Sequence, residues 1–296
     1  MKLNEYLKIQ KEFLQFLNTN SDVESYFLGA IRALSKASST LLPKNYKLNK
    51  KQFNDYDKYS KLVDAFKYFL CIFDYYDLDI EKFDEYFKLI SIYVFNRYKL
   101  KKIIDNQEKY KNIALLDIDG VLAEFPGYFI RKFNEAYNTN YKTYNEIPLD
   151  KRNVYKEKYR ICGEKVNMPL CENAKNFLID LKSKGYTVIL FTNRPIYLYE
   201  NIIIDTIKWA FINDLRYDAI LFSENKMLDI IKNFNYKNIK LYVEDNVNNA
   251  NNICKLGINT FLIKNNLNDQ NISKCDKKIK IISSLKQVTF DEAKND

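Results

Sequence analysis

The stretch IALLDIDGVL, residues 113–122, decides how the second half of this chain is read. Ile113, Ala114, Leu115 and Leu116 form a short apolar run suited to a buried strand. Two carboxylates two residues apart, Asp117 and Asp119, follow at once, with Gly120 to turn the chain. Four more apolar runs come later, at 187–191, 219–222, 240–243 and 260–263. Helical patterns lie between them at 172–184, 199–214, 227–234 and 246–256, the last closed by Gly257. Such alternation predicts a parallel sheet covered by helices on both faces. Ligands bind such sheets beyond the carboxyl ends of the strands, so the polar residues there carry the functional reading.

At the first strand end, Asp117 and Asp119 can bind a hard cation through oxygen and present a carboxylate to an electrophile. The second strand ends in Thr192-Asn193-Arg194, where a hydroxyl and backbone N–H groups at a helix start can hold an anion. After the third comes Ser223-Glu224-Asn225-Lys226, an ammonium at a helix start. Lys232, Lys237 and Lys240 lie nearby, but Lys226 best fits that position. The fourth strand ends in Glu244-Asp245, a second acidic pair suited to metal ligation.

Taken in order, these four strand ends resemble the motifs of the haloacid dehalogenase (HAD) phosphohydrolases over roughly residues 113–264. The resemblance implies an α/β, Rossmann-like domain with a small helical cap and Mg²⁺ as cofactor. It implies Asp117 as nucleophile, Asp119 as acid and base, Thr192 on the phosphoryl oxygens and Lys226 as charge neutraliser. The metal would be held by Asp117, Asp245 and the Asp119 carbonyl, with Glu244 sharing or exchanging the role. Two departures stand out: the fourth motif reads Glu-Asp, and the position four after Asp245 is Asn249. A nucleophilic carboxylate and a phosphate dianion repel, which is the physical reason for a metal and a lysine at such a site.

The insertion at about 123–170 would be the cap. Its aromatic and basic residues, Phe125, Tyr128, Phe129, Arg131, Lys132, Arg152, Arg160 and Lys165, would either stack on and bind the leaving group or only pack the cap on the core. Asn193 and Arg194, beside the phosphate motif, are the expected substrate contacts. Thr206-Ile207-Lys208-Trp209 and Arg216-Tyr217-Asp218 are similar to the corresponding parts of nucleotidase-like HAD proteins. The expected substrate is therefore a nucleotide or similar small phosphate ester. Nucleic-acid ends are the alternative, and an interaction protein with a vestigial HAD-like domain is the reading of another class.

Composition narrows the chemistry further. The 296 residues contain no histidine, which removes imidazole catalysis and HExxH zinc sites. Six glycines form neither a P-loop nor a GxGxxG turn, and five scattered cysteines indicate no disulfide framework or zinc knuckle. The net charge of +9 is spread along the chain rather than gathered in one patch. No apolar run reaches the roughly 18 residues of a membrane span, so a cytoplasmic protein without a membrane partner is expected.

Residues 1–110 read instead as an all-α domain preceding the α/β domain of 111–296. Amphipathic helices are expected at 23–42 and 59–76, a connection at 44–57 and a linker at 101–112. The aromatic stripe Phe66, Phe69, Phe73, Tyr76, Phe83, Phe87 and Tyr93 is either core or the surface for a protein partner of unknown identity.

Overall fold

All four residues of strand β1 (Ile113–Leu116) are fully buried, and their side chains alternate between two cores. In the computed structural model, which describes residues 79–290 apart from Glu200 and Asn266, Ala114 and Leu116 point into the larger core. Leu178, Leu190, Ile207 and Trp209 join them there. Ile113 and Leu115 enter the second core with Ile189, Phe191, Ile230 and Ile253. A strand with both faces buried needs the near-continuous apolar run that this one has. Each of its Ile and Leu side chains contributes about 1.5–3 kcal/mol on burial.

The elements follow in the order α1 (Ile80–Asp105), β1, α2 (Gly127–Tyr137), α3 (Leu149–Ile161), α4 (Ala174–Ser183), β2 (Thr187–Thr192), α5 (Asn201–Ile212), β3 (Ala219–Phe222), α6 (Lys226–Asn233), β4 (Ile239–Glu244), α7 (Val247–Cys254), β5 (Thr260–Ile263) and β6 (Lys280–Ile282). The six strands are all parallel, in the order β3-β2-β1-β4-β5-β6. The connection direction reverses between β1 and β4, which makes their carboxyl ends the switch point where a crevice opens. Register sets Leu116 level with Leu190 on one side and Val243 on the other. Asp117 therefore emerges between the ends of β2 and β4.

The strands and helices expected after residue 112 are all found, with boundaries moved by a residue or two. β2 and β4 each run one residue further, so Thr192 and Glu244 are the last residues of their strands. β6, three residues long with lysines before it, has too short an apolar pattern to stand out in the sequence.

The chain divides into two units, 1–87 and 88–296. The expected linker at 101–112 is corrected: helix α1 continues to Asp105, and Ile103 is buried in the second core with Leu100 and Ile104 beside it. Packing of Leu100, Ile103 and Ile104 on the second core carries the helix through this lysine-rich stretch. The expected helices at 23–42 and 59–76, the connection at 44–57 and most of the aromatic stripe lie outside the described residues. Among the described residues no helix is long and apolar enough to cross a membrane.

The insertion leaves and rejoins the sheet side by side, through an antiparallel bridge between Ala123 and Leu170. It carries α2, α3 and the short 3-10 turns Tyr144–Glu146 and Glu164–Asn167. Phe129 sits at its centre, its ring 5.4 Å from Tyr144 and 5.3 Å from both Tyr155 and Tyr159. Such ring pairs contribute about 0.5–1.5 kcal/mol each beyond their buried area, and here they hold the cap together. Tyr128 and Phe129 are thus packing residues and do not face a ligand.

Candidate active site

Asp117 follows β1 and is itself buried; its backbone N–H donates to the Val243 carbonyl. The turn after it closes on Ile118, whose carbonyl accepts from the N–H groups of Leu122 and Ala123. Gly120 has φ of +87°, and a Cβ placed there would lie 2.1 Å from Asp245 Oδ2. Glycine is required at this position by backbone conformation and by the approach of that carboxylate.

Lys226 opens α6 and is almost wholly buried. Its Nζ lies 2.7 Å from Asp117 Oδ1 and 2.8 Å from Glu244 Oε2. The Glu244 carboxylate also accepts from the Tyr242 hydroxyl and from the backbone N–H groups of Asp245 and Asn246. Burial alone would raise Glu244, but Lys226 and these donors outweigh it and hold the carboxyl below its usual range. Burial, opposed by Lys226 and reinforced by Glu244, pushes Asp117 up to about 7. Asp245 is raised well above the usual range by burial and by the charges of Glu244 and Asp117.

Oxygens of Asp117, Glu244 and Asp245 all lie within 4.8 Å of one another. Three crowded carboxylates facing a single lysine form a hard-oxygen donor set that fits a divalent cation such as Mg²⁺. Asp245 is oriented by two asparagines from the loop after β5. Asn265 Nδ2 donates to Asp245 Oδ2 at 3.0 Å, and Asn268 Nδ2 to the Asp245 carbonyl at 2.7 Å.

Asp119 faces the other way. Its Oδ2 is 2.6 Å from Lys165 Nζ, and its Oδ1 is 2.6 Å from Arg194 Nη2. Burial works against the ionised form, but Arg194 and Lys165 together hold the carboxyl far below its usual range. The Asp119 side chain lies outside the group of three carboxylates, so any part it takes in metal binding falls to its backbone carbonyl.

Arg194, the expected substrate contact, lines the cleft but is also held by protein partners. Its guanidinium is fully buried, with Nε and Nη2 on Asp119 and Nη1 donating to Thr206 Oγ1 at 3.0 Å. The plane lies 5.5 Å from the Trp209 ring, and Trp209 in turn donates its indole N–H to the Met168 carbonyl. Every nitrogen is engaged by protein, so Arg194 positions Asp119. Thr192, fully buried at the end of β2, accepts from the Arg194 backbone N–H and still lines the cleft. Asn193 donates to the Ser223 carbonyl and accepts from Asn249, which joins the ends of β2, β3 and β4. The unexpected Asn249 is thus a strut of the site.

Sequence reasoning missed four residues of this centre: Lys165 as a partner of Asp119, Tyr242, Asn265 and Asn268. Tyr242 was within reach, because residues i and i+2 of a strand share a face and Glu244 is two residues on. The asparagines follow the fifth strand at the same mouth of the sheet. Together these elements enclose a cleft of ≈ 510 Å³ with Asp117 and Asp119 at its base, whose wall includes Phe125, Lys156, Asn248, Asn271 and Lys274.

No family model matches the sequence, and comparison with curated proteins gives no match. Among solved structures, the chain is similar to the D,D-heptose 1,7-bisphosphate phosphatase of Burkholderia thailandensis at 12% identity. That likeness covers 59% of this chain and 93% of the other, with a TM-score of 0.38. The corresponding phosphatase of B. bronchiseptica, complexed with magnesium and phosphate, has 12% identity, the same coverages and a TM-score of 0.39. A HAD family hydrolase of Deinococcus radiodurans with bound phosphate and sodium has 14% identity over 51% of this chain and 80% of its own, with a TM-score of 0.39.

Proposed function

We propose that this chain is a HAD-type phosphohydrolase that cleaves small phosphate monoesters through an aspartyl-phosphate on Asp117. The observation that carries the reading is the Asp117–Lys226–Glu244 arrangement beside Asp245, at the switch point of a parallel sheet and open to a cleft.

In the first half of the reaction an Asp117 oxygen attacks phosphorus, and the bond to the leaving oxygen breaks. Lys226 favours the ionised form of Asp117 and offsets charge on the phosphoryl group, and the Thr192 hydroxyl donates to a phosphoryl oxygen. Asp117 and Asp245, with Glu244 beside them, would hold Mg²⁺, which would supply the charge neutralisation needed to bring two anions together. Asp119 gives its proton to the leaving oxygen and takes one from the water that then hydrolyses the acyl phosphate. Arg194 and Lys165 hold Asp119 as a carboxylate, ready for that second role. An incoming phosphate dianion favours its protonated form, as the first role requires.

The substrate we assign is a small phosphate monoester. Nucleotides belong in that class here because Phe125, whose ring also packs edge-on against Phe129 and Tyr144, lines the cleft where a base would lie. The test is hydrolysis of an aryl phosphate and of a panel of nucleotides and sugar phosphates, with Mg²⁺ and with EDTA. Activity should require Mg²⁺ and vanish in Asp117→Asn. Full activity in metal-free buffer, or in that variant, would overturn the assignment.

A further inference from the structure

The cations nearest the acidic centre are already matched. Lys226 sits between Asp117 and Glu244, while Arg194 and Lys165 both hold Asp119. Further out, the cleft wall carries two lysines of another kind. Lys156 comes from cap helix α3, and Lys274 from the 3-10 turn Asp269–Lys274 that follows β5. Among the described residues neither has a carboxylate partner. Lys274 Nζ donates to Asn271 Oδ1 at 2.9 Å, and Lys156 Nζ lies 5.9 Å from the Tyr144 ring. The remaining polar wall is built of uncharged amides, Asn193, Asn248, Asn249 and Asn271. Apart from the four acids of the centre itself, no carboxylate among the described residues lines the cleft.

A scissile phosphate bound at Asp117 occupies only the base of a cleft of ≈ 510 Å³. The rest of the substrate then meets two ammonium groups, one from each side of the cap boundary, and amides able to both donate to and accept from hydroxyls. Resting on the hydrolytic reading above, we propose that Lys156 and Lys274 form a second anion subsite. The substrate is a phosphate monoester that carries another anionic group, a phosphate or a carboxylate, on a polar skeleton.

The test uses the full chain and pairs of substrates that share a skeleton. Glycerol 3-phosphate against 3-phosphoglycerate forms the carboxylate arm, and fructose 6-phosphate against fructose 1,6-bisphosphate the phosphate arm. The second-anion member of one arm should be preferred in kcat/KM, with a preference that falls as salt is added. Lys156→Met and Lys274→Met should each reduce it about tenfold, through KM and with little change in kcat, and Lys156→Arg should retain it. Equal losses on both members of each pair, or no preference in the unaltered chain, would overturn the subsite. Calorimetric binding to Asp117→Asn separates this from the hydrolytic reading. Preferential binding without turnover in the unaltered chain would keep the subsite and remove the hydrolysis. Turnover of aryl phosphate without preference would do the reverse.

Discussion

Lys165 Nζ lies 2.6 Å from Asp119 Oδ2, so a buried ion pair joins the cap to the catalytic turn. The ammonium belongs to the 3-10 turn Glu164–Asn167, and burial draws it down to about 8 against the pull of Asp119. Its contact with Asp119 exists only while the cap is seated. Lys165→Met should lower kcat for an alkyl phosphate about tenfold or more, the scale of one charged hydrogen bond, while circular dichroism stays unchanged. Lys165→Arg should recover part of the loss. Wild-type kinetics in the methionine variant would mean that Arg194 alone positions Asp119.

Lys226→Met leaves Asp117 and Glu244 buried without their shared cation. Breaking a buried pair from one side costs about 3–5 kcal/mol, so the urea midpoint should fall clearly and turnover should be lost. An unchanged midpoint would indicate that the two carboxylates do not depend on this lysine.

Mg²⁺ should stabilise the folded chain, because the crowded acids of Asp117, Glu244 and Asp245 form in the native state alone. At a hundredfold excess over Kd the expected gain is about 2.7 kcal/mol, or roughly 5–10 °C in Tm. Asp245→Asn should reduce that shift. An equal shift in the variant would place the ion elsewhere.

Gly120→Ala introduces a Cβ where Asp245 Oδ2 now stands, at a left-handed φ. Asp245 must move, so the variant should lose Mg²⁺-dependent stabilisation and activity together while still folding. Titration by thermal shift, run beside an aryl phosphate assay, reads both.

A fragment beginning at Lys88 should fold, because it retains Leu89 and Ile103, which are buried in the two cores. A fragment beginning at Lys109 loses both, at about 2–5 kcal/mol for each vacated site. It should expose apolar surface and aggregate in light scattering; equal behaviour of the two fragments would show that α1 is dispensable.

The strands and the positions of Asp117, Thr192, Lys226 and Asp245 were legible because each stands where an apolar run stops, and the sheet brings all such stops to one edge. The contacts of Arg194 were not legible, for a different reason. Its position beside Thr192 is visible in the sequence, but its partners come from two distant elements, Asp119 from the turn after β1 and Thr206 and Trp209 from helix α5. Lys165 was hidden in the same way, since its contact depends on how the cap folds back. Glu244 was legible as one of an acidic pair at a strand end, but not that Lys226 and Tyr242 also engage its carboxylate. The cap aromatics were ambiguous in sequence because stacking on a ligand and stacking on each other use the same residues.

Asn265 and Asn268 tie Asp245 to the loop after β5, which ties the order of events during folding to the order of strands. A chain that has paired β1 with β2 and β4 already holds Asp117 and Lys226 together. Asp245 is not held until β5 has docked beside β4 and its loop has reached back over the sheet end. Metal affinity during refolding should therefore lag behind the central strands, and Mg²⁺ capture would time the closure of the sheet's far side.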